Sequence, residues 1–347
     1  MALKLILREV RKAYEIPCRC LREHAGFKIL DMLPRDETPI QSKGAWLRQG
    51  LQASGRLLLH LGSVREADEL VLVGNYMSLF CVLLNKLHVL HPEGLYWWGF
   101  QIRGAESQEK LRRVLRLLYA KNLRFVVFSA YERALYQERM GLPGEAVLYQ
   151  PYGDWKDTDL ERARQMAECG DYYFSGGYSN RDYGALLRAW EHIDRRLIVI
   201  GSKNNADLYA YTQHPTNPNV EVLLDTPPEV FDGYLNGARA CVLPFKFNTG
   251  ASGQTVALKC MIVEKPVISA RIDAMAEYIR DGETGFLLDD FERELPAVIE
   301  RLERDPALYA RMVKAQTALF ESSFSYPVIT EHLLSLFAKD AGGEEGA

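Results

Sequence analysis

From Phe27 onward the chain alternates short apolar runs with amphipathic segments. That alternation restricts it to parallel strands joined by helical crossovers. Phe27 to Leu33, Leu70 to Val73, Leu95 to Phe100, Arg124 to Ser129 and Ala146 to Tyr149 read as strands in the first half. Ser78 to Leu87 and Ser107 to Lys121 read as helices; in the latter Leu111, Val114, Leu115 and Leu118 repeat at helical spacing, while Lys110, Arg113 and Arg116 lie elsewhere. No strand is assigned within Met1 to Gly26. A turn-rich break, Gln150-Pro-Tyr-Gly-Asp154, divides a chain of 347 residues that is too long for one ordinary core. Beyond it, Tyr172 to Ser175, Leu197 to Gly201, Val220 to Leu224, Ala240 to Leu243 and Pro266 to Ala270 read as strands, with helices at Tyr183 to Trp190 and Gln254 to Val263. The expectation is an α/β protein with an N-terminal domain at 1–152, a second doubly wound domain at 153–325, a helix at 326–339 and a disordered tail at 340–347.

The charge is uneven. Residues 1–150 carry 22 Lys and Arg against 15 Asp and Glu, a net of +7, whereas 151–347 carry 20 against 31, a net of −11. A basic first half suits an anionic partner such as a lipid surface, or simply attraction to the acidic half. The six cysteines sit mostly in apolar runs and read as small buried hydrophobes in a reducing cytoplasm. Cys18-x-Cys20 has no second pair at zinc spacing, so no metal is expected. Leu3 to Leu7 is cut short by Arg8, Glu9, Arg11 and Lys12, so no signal peptide develops, and no run is long enough to span a bilayer. A cytoplasmic protein, at most peripheral at the inner membrane face, is expected.

A doubly wound sheet binds ligands beyond the carboxyl ends of its strands. Three polar, glycine-bearing loops fall there. Ser175-Gly176-Gly177-Tyr178-Ser179-Asn180-Arg181-Asp182 offers close backbone approach and a cation. Gly201-Ser202-Lys203-Asn204-Asn205 repeats the pattern. Phe247-Asn248-Thr249-Gly250-Ala251-Ser252-Gly253-Gln254-Thr255 opens a helix whose N-terminal amides favour an anion, with Ser252 as the expected N-cap. Each loop alone is an ordinary turn or cap; together they describe a metal-free diphosphate site. Arg181, Lys203 and Lys259 would supply charge, and Gly176, Gly177, Tyr178, Asn248, Gly250, Ser252, Gly253, Gln254 and Thr255 would line it. Neither G-x-x-x-x-G-K-[ST] nor G-x-S-x-G is present, which argues against a Walker NTPase and an α/β-hydrolase.

At these loops the sequence resembles the family 4 glycosyltransferases of the GT-B fold, most clearly from Phe125 to Leu288. Val126-Val-Phe-Ser-Ala-Tyr-Glu132, Gly141-Leu-Pro143 and Tyr149-Gln-Pro-Tyr-Gly153 are similar to the family's exit from its first domain. Phe174-Ser-Gly-Gly-Tyr178 with Arg181 resembles its glycine-arginine segment, Arg181 standing where a lysine is usual. Lys265-Pro-Val-Ile268 and Gly282-Glu-Thr-Gly-Phe-Leu287 resemble its close of the donor domain. The family's two glutamates, eight positions apart, fall here on Ala251 and Lys259. Lys259 shares a helix face with Thr255 and so could reach the diphosphate instead. Tyr96-Trp97-Trp98-Gly99 resembles an aromatic segment often followed by histidine, but Phe100 and Gln101 follow here. Trp97 and Trp98 suit cleft stacking or, more simply, core packing.

The resemblance implies GT-B architecture: two Rossmann-like doubly wound domains facing a cleft, with Phe324 to Phe337 crossing back to the first. It implies a retaining, metal-independent transfer from a nucleoside-diphosphate sugar to a glycan, polysaccharide or lipid-linked hydroxyl. No cofactor and no nucleic-acid partner is expected. The missing glutamates keep a non-catalytic, glycosyltransferase-like binding subunit open. A nicotinamide oxidoreductase is the more distant alternative, because Gly176-Gly177-Tyr-Ser-Asn-Arg lacks G-x-G-x-x-G.

Overall fold

The computed structural model describes residues 2–9, 15–33, 43–74, 76–100, 109–154, 156, 158–165, 170–246 and 252–340. Two compact units result: the described residues up to Pro151 with those from Ile329 onward, and Tyr152–Val328.

The first unit runs β1 (Lys4–Arg8), α1 (Glu15–Ala25), β2 (Lys28–Asp31), α2 (Lys43–Leu59), α3 (Leu61–Arg65) and β3 (Glu69–Val73). It continues α4 (Tyr76–Lys86), β4 (Gly94–Trp98), α5 (Glu109–Leu118), β5 (Leu123–Val127), α6 (Ala130–Glu138) and β6 (Val147–Tyr149). All six strands are parallel, in the order β2-β1-β3-β4-β5-β6. The opening strand, unassigned from sequence, is real. Leu5, Ile6 and Leu7 are buried between two neighbours. Arg8, which seemed to end the apolar run, is held in the strand by Asp31 across the register, Nε to Oδ1 at 2.6 Å and Nη2 to Oδ2 at 3.0 Å. A bidentate carboxylate lets a guanidinium be buried where its charge alone could not be.

Side chains alternate across this sheet. Leu70, Leu72, Leu95, Trp97, Leu123 and Phe125 share one core with Leu57 of α2, Cys81 of α4, Leu115 of α5 and Leu135 of α6. The other face meets the last helix, as described below. Trp97 and Trp98, weighed as cleft stackers, are packed: Trp97 is 7% exposed, lies 5.0 Å from Phe100, and donates its Nε1–H to the Gly74 carbonyl. Helix α5 is shorter than expected, and Val114 is exposed rather than core-facing, because Leu115 and Leu118 occupy the inward stripe.

The second unit runs α7 (Leu160–Gln165), β7 (Tyr172–Gly176), α8 (Tyr183–Trp190), β8 (Arg196–Gly201), α9 (Ala206–Gln213), β9 (Val220–Leu224) and α10 (Pro228–Gly237). Then come β10 (Cys241–Leu243), α11 (Gln254–Ile262), β11 (Val267–Ala270), α12 (Asp273–Ala276), β12 (Gly285–Leu288), α13 (Phe291–Arg304) and α14 (Pro306–Ser323). The sheet is parallel, in the order β12-β11-β10-β7-β8-β9. Strand order therefore reverses between β7 and β10, the switch point at which such sheets open a crevice. The Gly282-to-Leu287 segment is a structural turn: Gly282 donates to the Gly285 carbonyl, Thr284 Oγ1 accepts from the Arg280 amide at 2.8 Å, and Asp281 accepts from Leu287.

Helix α15 (Tyr326–Asp340) begins in the second unit, and its residues from Ile329 belong to the first. Ile329 and Leu333 are fully buried there, and the Phe337 ring lies 4.5 Å from Tyr96 and 5.4 Å from Phe27. Of the expected tail, Asp340 closes this helix and the remainder lies outside the described residues.

Candidate functional site

At the switch point of the second sheet the first polar loop meets the short stretch that precedes the third. Residues 177–182 follow β7 and residues 244–246 follow β10. Arg181 and Phe245 form an antiparallel bridge, Asp182 N–H donates to the Pro244 carbonyl at 2.7 Å, and Asn180 Nδ2 donates to the Lys246 carbonyl at 3.1 Å. Asn180 takes φ +54°, a conformation asparagine tolerates better than most residues. The opposite end of the loop is tied to β8, since Gly177 N–H donates to the Ile200 carbonyl at 3.1 Å, and to α8, whose Tyr183 Oη donates to the Gly177 carbonyl at 2.7 Å.

Arg181 is 5% exposed and organises this junction. Its Nε and Nη2 donate to the Gly176 carbonyl at 3.3 and 3.2 Å, and Nη1 donates to the Ser179 carbonyl at 3.0 Å. The guanidinium lies over the Phe245 ring at 4.2 Å. Its charge is thus met by carbonyl dipoles and a ring face rather than by a carboxylate. Burial lowers its pKa from the ordinary arginine value, yet a guanidinium stays protonated. Gly177, at φ +139°, passes so close that an added Cβ would stand 2.6 Å from Nη2.

Helix α11 starts against the Phe245 ring. Its N-cap is Gly253 at φ +86°, not Ser252; glycine has no side chain to cap with, so the Gln254 and Thr255 amides lack an intrahelical acceptor, while Val256 N–H donates to the Gly253 carbonyl at 3.0 Å. Ser252 is buried one residue earlier. A Cβ on Gly253 would collide with the Phe245 ring. Gln254, 7% exposed, has its Nε2 buried without a hydrogen-bond partner. Thr255 is exposed and hydrogen-bonds Tyr152, whose hydroxyl pKa is raised chiefly by burial. Asn248 and Gly250 lie outside the described residues.

The two other expected cations are differently placed. Lys259 makes an ion pair with Asp232 of α10, and its ammonium lies 5.4 Å from the Phe231 ring centre. Phe231 also packs edge-on to Phe174 at 5.0 Å, backs onto Gly176 and lies 6.5 Å from Tyr178, which is 56% exposed at the mouth of the loop. Lys203 is exposed, 3.8 Å from Asp225. Its loop is spent on starting α9, where Asn205 accepts from the Leu208 amide at 3.1 Å. Asp232 and Phe231 were missed from sequence because α10 carries no glycine loop or charge pattern that marks it.

The first sheet also reverses, between β1 and β3, but there the anion position at the helix start is filled from within. Glu9, 1% exposed, accepts from the Met77 amide of α4 at 3.3 Å and packs against Gly74. A carboxylate at that helix N-terminus disfavours a phosphate. A hollow of about 380 Å³ beside Phe245 is similarly unsuited, because Asp182, Asp289, Asp290 and Glu292 all border it.

Residues 171–305 match the model of the family described as glycosyl transferases group 1. The capsular polysaccharide biosynthesis glycosyltransferase CapM of Staphylococcus aureus is 30% identical over 158 residues, which is 43% of this chain and 40% of that relative. The chain thus spans 40% of that curated relative's length. Among solved structures, a glycosyltransferase from Rickettsia africae aligns with TM-score 0.71 at 11% identity, covering 99% of this chain and 100% of that one. HepE of Anabaena, in complex with UDP and glucose, aligns with TM-score 0.69 at 12% identity, covering 97% and 100%. The architecture, two six-stranded parallel sheets each wrapped by helices, is GT-B.

Proposed function

We propose that this chain, whose second unit carries a glycosyl transferases group 1 domain, moves a sugar from a nucleoside-diphosphate sugar to a hydroxyl of a glycan, polysaccharide or lipid-linked acceptor. One observation carries the reading. At a single switch point stand a buried guanidinium with no carboxylate partner among the described residues, an uncapped helix N-terminus and an unpartnered buried amide. A diphosphate supplies what each of them lacks.

In this assignment the backbone amides of Gly253, Gln254 and Thr255 hold the diphosphate, the Gln254 side chain adds a donor, and Arg181 stabilises it from behind the Gly176–Gly177 backbone. Tyr178, 56% exposed, stacks on the base or the sugar in this reading. The reaction forms the bond from acceptor oxygen to the anomeric carbon and breaks the bond from that carbon to the diphosphate. The acceptor proton passes to the departing phosphate, which leaves from the face that is attacked, so configuration is retained and no protein nucleophile is needed. Charge growing on the leaving group is met by the amides and Arg181 without a metal; one such donor contributes about 3 kcal/mol in comparable sites. HepE in complex with UDP and glucose and a capsular polysaccharide relative agree with the donor and acceptor classes.

A second reading, a donor-binding subunit without turnover, is favoured by one observation. Lys259 stands where the resembled family has a glutamate, and it is engaged by Asp232. The test is a thermal-shift series with UDP, GDP, ADP, CMP, dTDP and NAD without added metal, followed by sugar transfer or release with the matching donor. One nucleoside diphosphate should stabilise the protein, by about 2.7 kcal/mol at a hundredfold excess over Kd. Silence across the series overturns the donor site, and binding without sugar transfer or release selects the second reading.

A further inference from the structure

A second polar group lies beyond the α11 N-terminus, on a surface continuous with the first polar loop. Four residues on from Thr255, about 6 Å along the helix axis, stands Lys259. Its ammonium reaches Asp232 of α10 and lies 5.4 Å from the Phe231 ring centre. Phe231, 7% exposed, presses so closely on Gly176 that a side chain there would collide with it. The same ring lies 6.5 Å from Tyr178, at an interplanar angle of 32°. One surface therefore runs from the Gly176–Gly177 backbone through Tyr178 and Phe231 to the Lys259–Asp232 pair. Both charged side chains are open to a ligand, Lys259 at 32% exposure and Asp232 at 46%.

The pair is neutral as a unit, so it does not extend the cationic diphosphate site. What it offers is an acceptor beside a donor. A carboxylate has about four lone-pair positions, whereas an ammonium only donates, and here the ammonium is bonded to Oδ1 of Asp232. Two adjacent hydroxyls, each able to donate and to accept, match that arrangement; a phosphate would meet Asp232 as a like charge. In a nucleoside diphosphate the group with this pattern is the vicinal diol of the ribose, one sugar ring from the α-phosphate. Carboxylates beside the first two polar loops are engaged elsewhere: Asp182 caps α8 through the Ala185 amide, and Asp225 lies 3.8 Å from Lys203. The fold has little need of the Lys259–Asp232 pair, because an ion pair this exposed contributes little stability.

We propose that Asp232, oriented by Lys259, accepts hydrogen bonds from the ribose hydroxyls of the donor and so selects ribonucleoside over deoxyribonucleoside diphosphates. The inference rests on the donor-site reading and holds whether or not sugar is transferred. The test is calorimetric titration of the full chain with the ribonucleoside diphosphate that stabilises it, the 2′-deoxy and 3′-deoxy forms of that nucleotide, and inorganic pyrophosphate. The ribonucleotide should bind about tenfold tighter than a deoxy form, the effect of one hydrogen bond to a charged group. In Asp232→Ala that preference should disappear, while pyrophosphate binds no more weakly, since the variant loses only a negative charge. Asp232→Glu, which keeps the carboxylate, should keep the preference. Unfolding of the alanine variant without ligand should be nearly unchanged, as expected for a half-exposed position on a helix. Equal binding of ribo and deoxy forms by the wild type overturns the inference and leaves the donor site standing. An undiminished preference in Asp232→Ala does the same, as does a larger thermal shift with dTDP than with any ribonucleotide. Failure of every nucleotide and of pyrophosphate to bind overturns the donor site itself, and this inference with it.

Discussion

Replacing Arg181 by methionine separates its structural part from its part in binding. Methionine keeps much of the buried volume, so the cavity contribution is small. What is lost is three donated hydrogen bonds, two to Gly176 and one to Ser179, and the contact with the Phe245 ring. A buried carbonyl left without its donor costs about 1–3 kcal/mol. Two carbonyls are involved, and the desolvation of the guanidinium is relieved at the same time. The net expectation is a loss of about 2–4 kcal/mol, a large share of the stability of an ordinary domain. That changes the reading sequence alone suggests, in which Arg181 serves turnover far more than stability. Urea unfolding followed by tryptophan fluorescence measures the loss, and nucleotide titration of the folded variant measures binding. Arg181→Lys should be nearly as destabilised, because an ammonium cannot serve both carbonyls and the ring. A change below about 0.5 kcal/mol with normal nucleotide binding would refute the clamp.

Gly253→Ala should cost about 1–2 kcal/mol from its left-handed backbone alone, and more by driving Phe245 off Arg181, with loss of the nucleotide-induced thermal shift as the readout. The Arg188–Glu292 pair, at 2.5 and 2.9 Å, ties α8 to α13 and holds the Glu292 carboxyl below its ordinary pKa. A depressed carboxyl contributes stability above its unfolded pKa of about 4.3 and loses it as pH falls through the folded value. The difference in Tm between wild type and Glu292→Gln, small at neutral pH because the pair is solvent-exposed, should therefore close on acidification.

Much of the fold is legible in the chain because strand and crossover patterns are local. Tyr172 to Ser175, Leu197 to Gly201 and Val220 to Leu224 announce themselves by apolar runs set between turns, and the observed strands differ by a residue or so. β1 was hidden because Arg8 and Glu9 close it, and each is held by a partner distant in the chain, Asp31 and the α4 amide, 23 and 68 residues away. The same holds for the site. The glycines and Arg181 could be picked out by position after a strand; that Arg181 faces carbonyls and Phe245, whereas Lys259 faces Asp232, could not.

Sequence by itself determined the class of this protein: parallel α/β units, a break near Pro151, glycine loops at strand ends and a chain with its positive charge in one half. Those features follow from periodicity, turn chemistry and composition, which act over a few residues. Tertiary structure alone decided which loops meet. The order β12-β11-β10-β7-β8-β9 brings residues 177–182 beside 244–246, and Lys203 is paired with Asp225 after β9. It also decided which helix faces stay bare, leaving Leu59, Leu87 and Leu117 on the outer side of helices whose inner stripe the first core had already taken. The physical reason is the same in both cases. A side chain's partner is set by strand order and packing, which join residues distant in the chain, and local pattern carries no record of that distance.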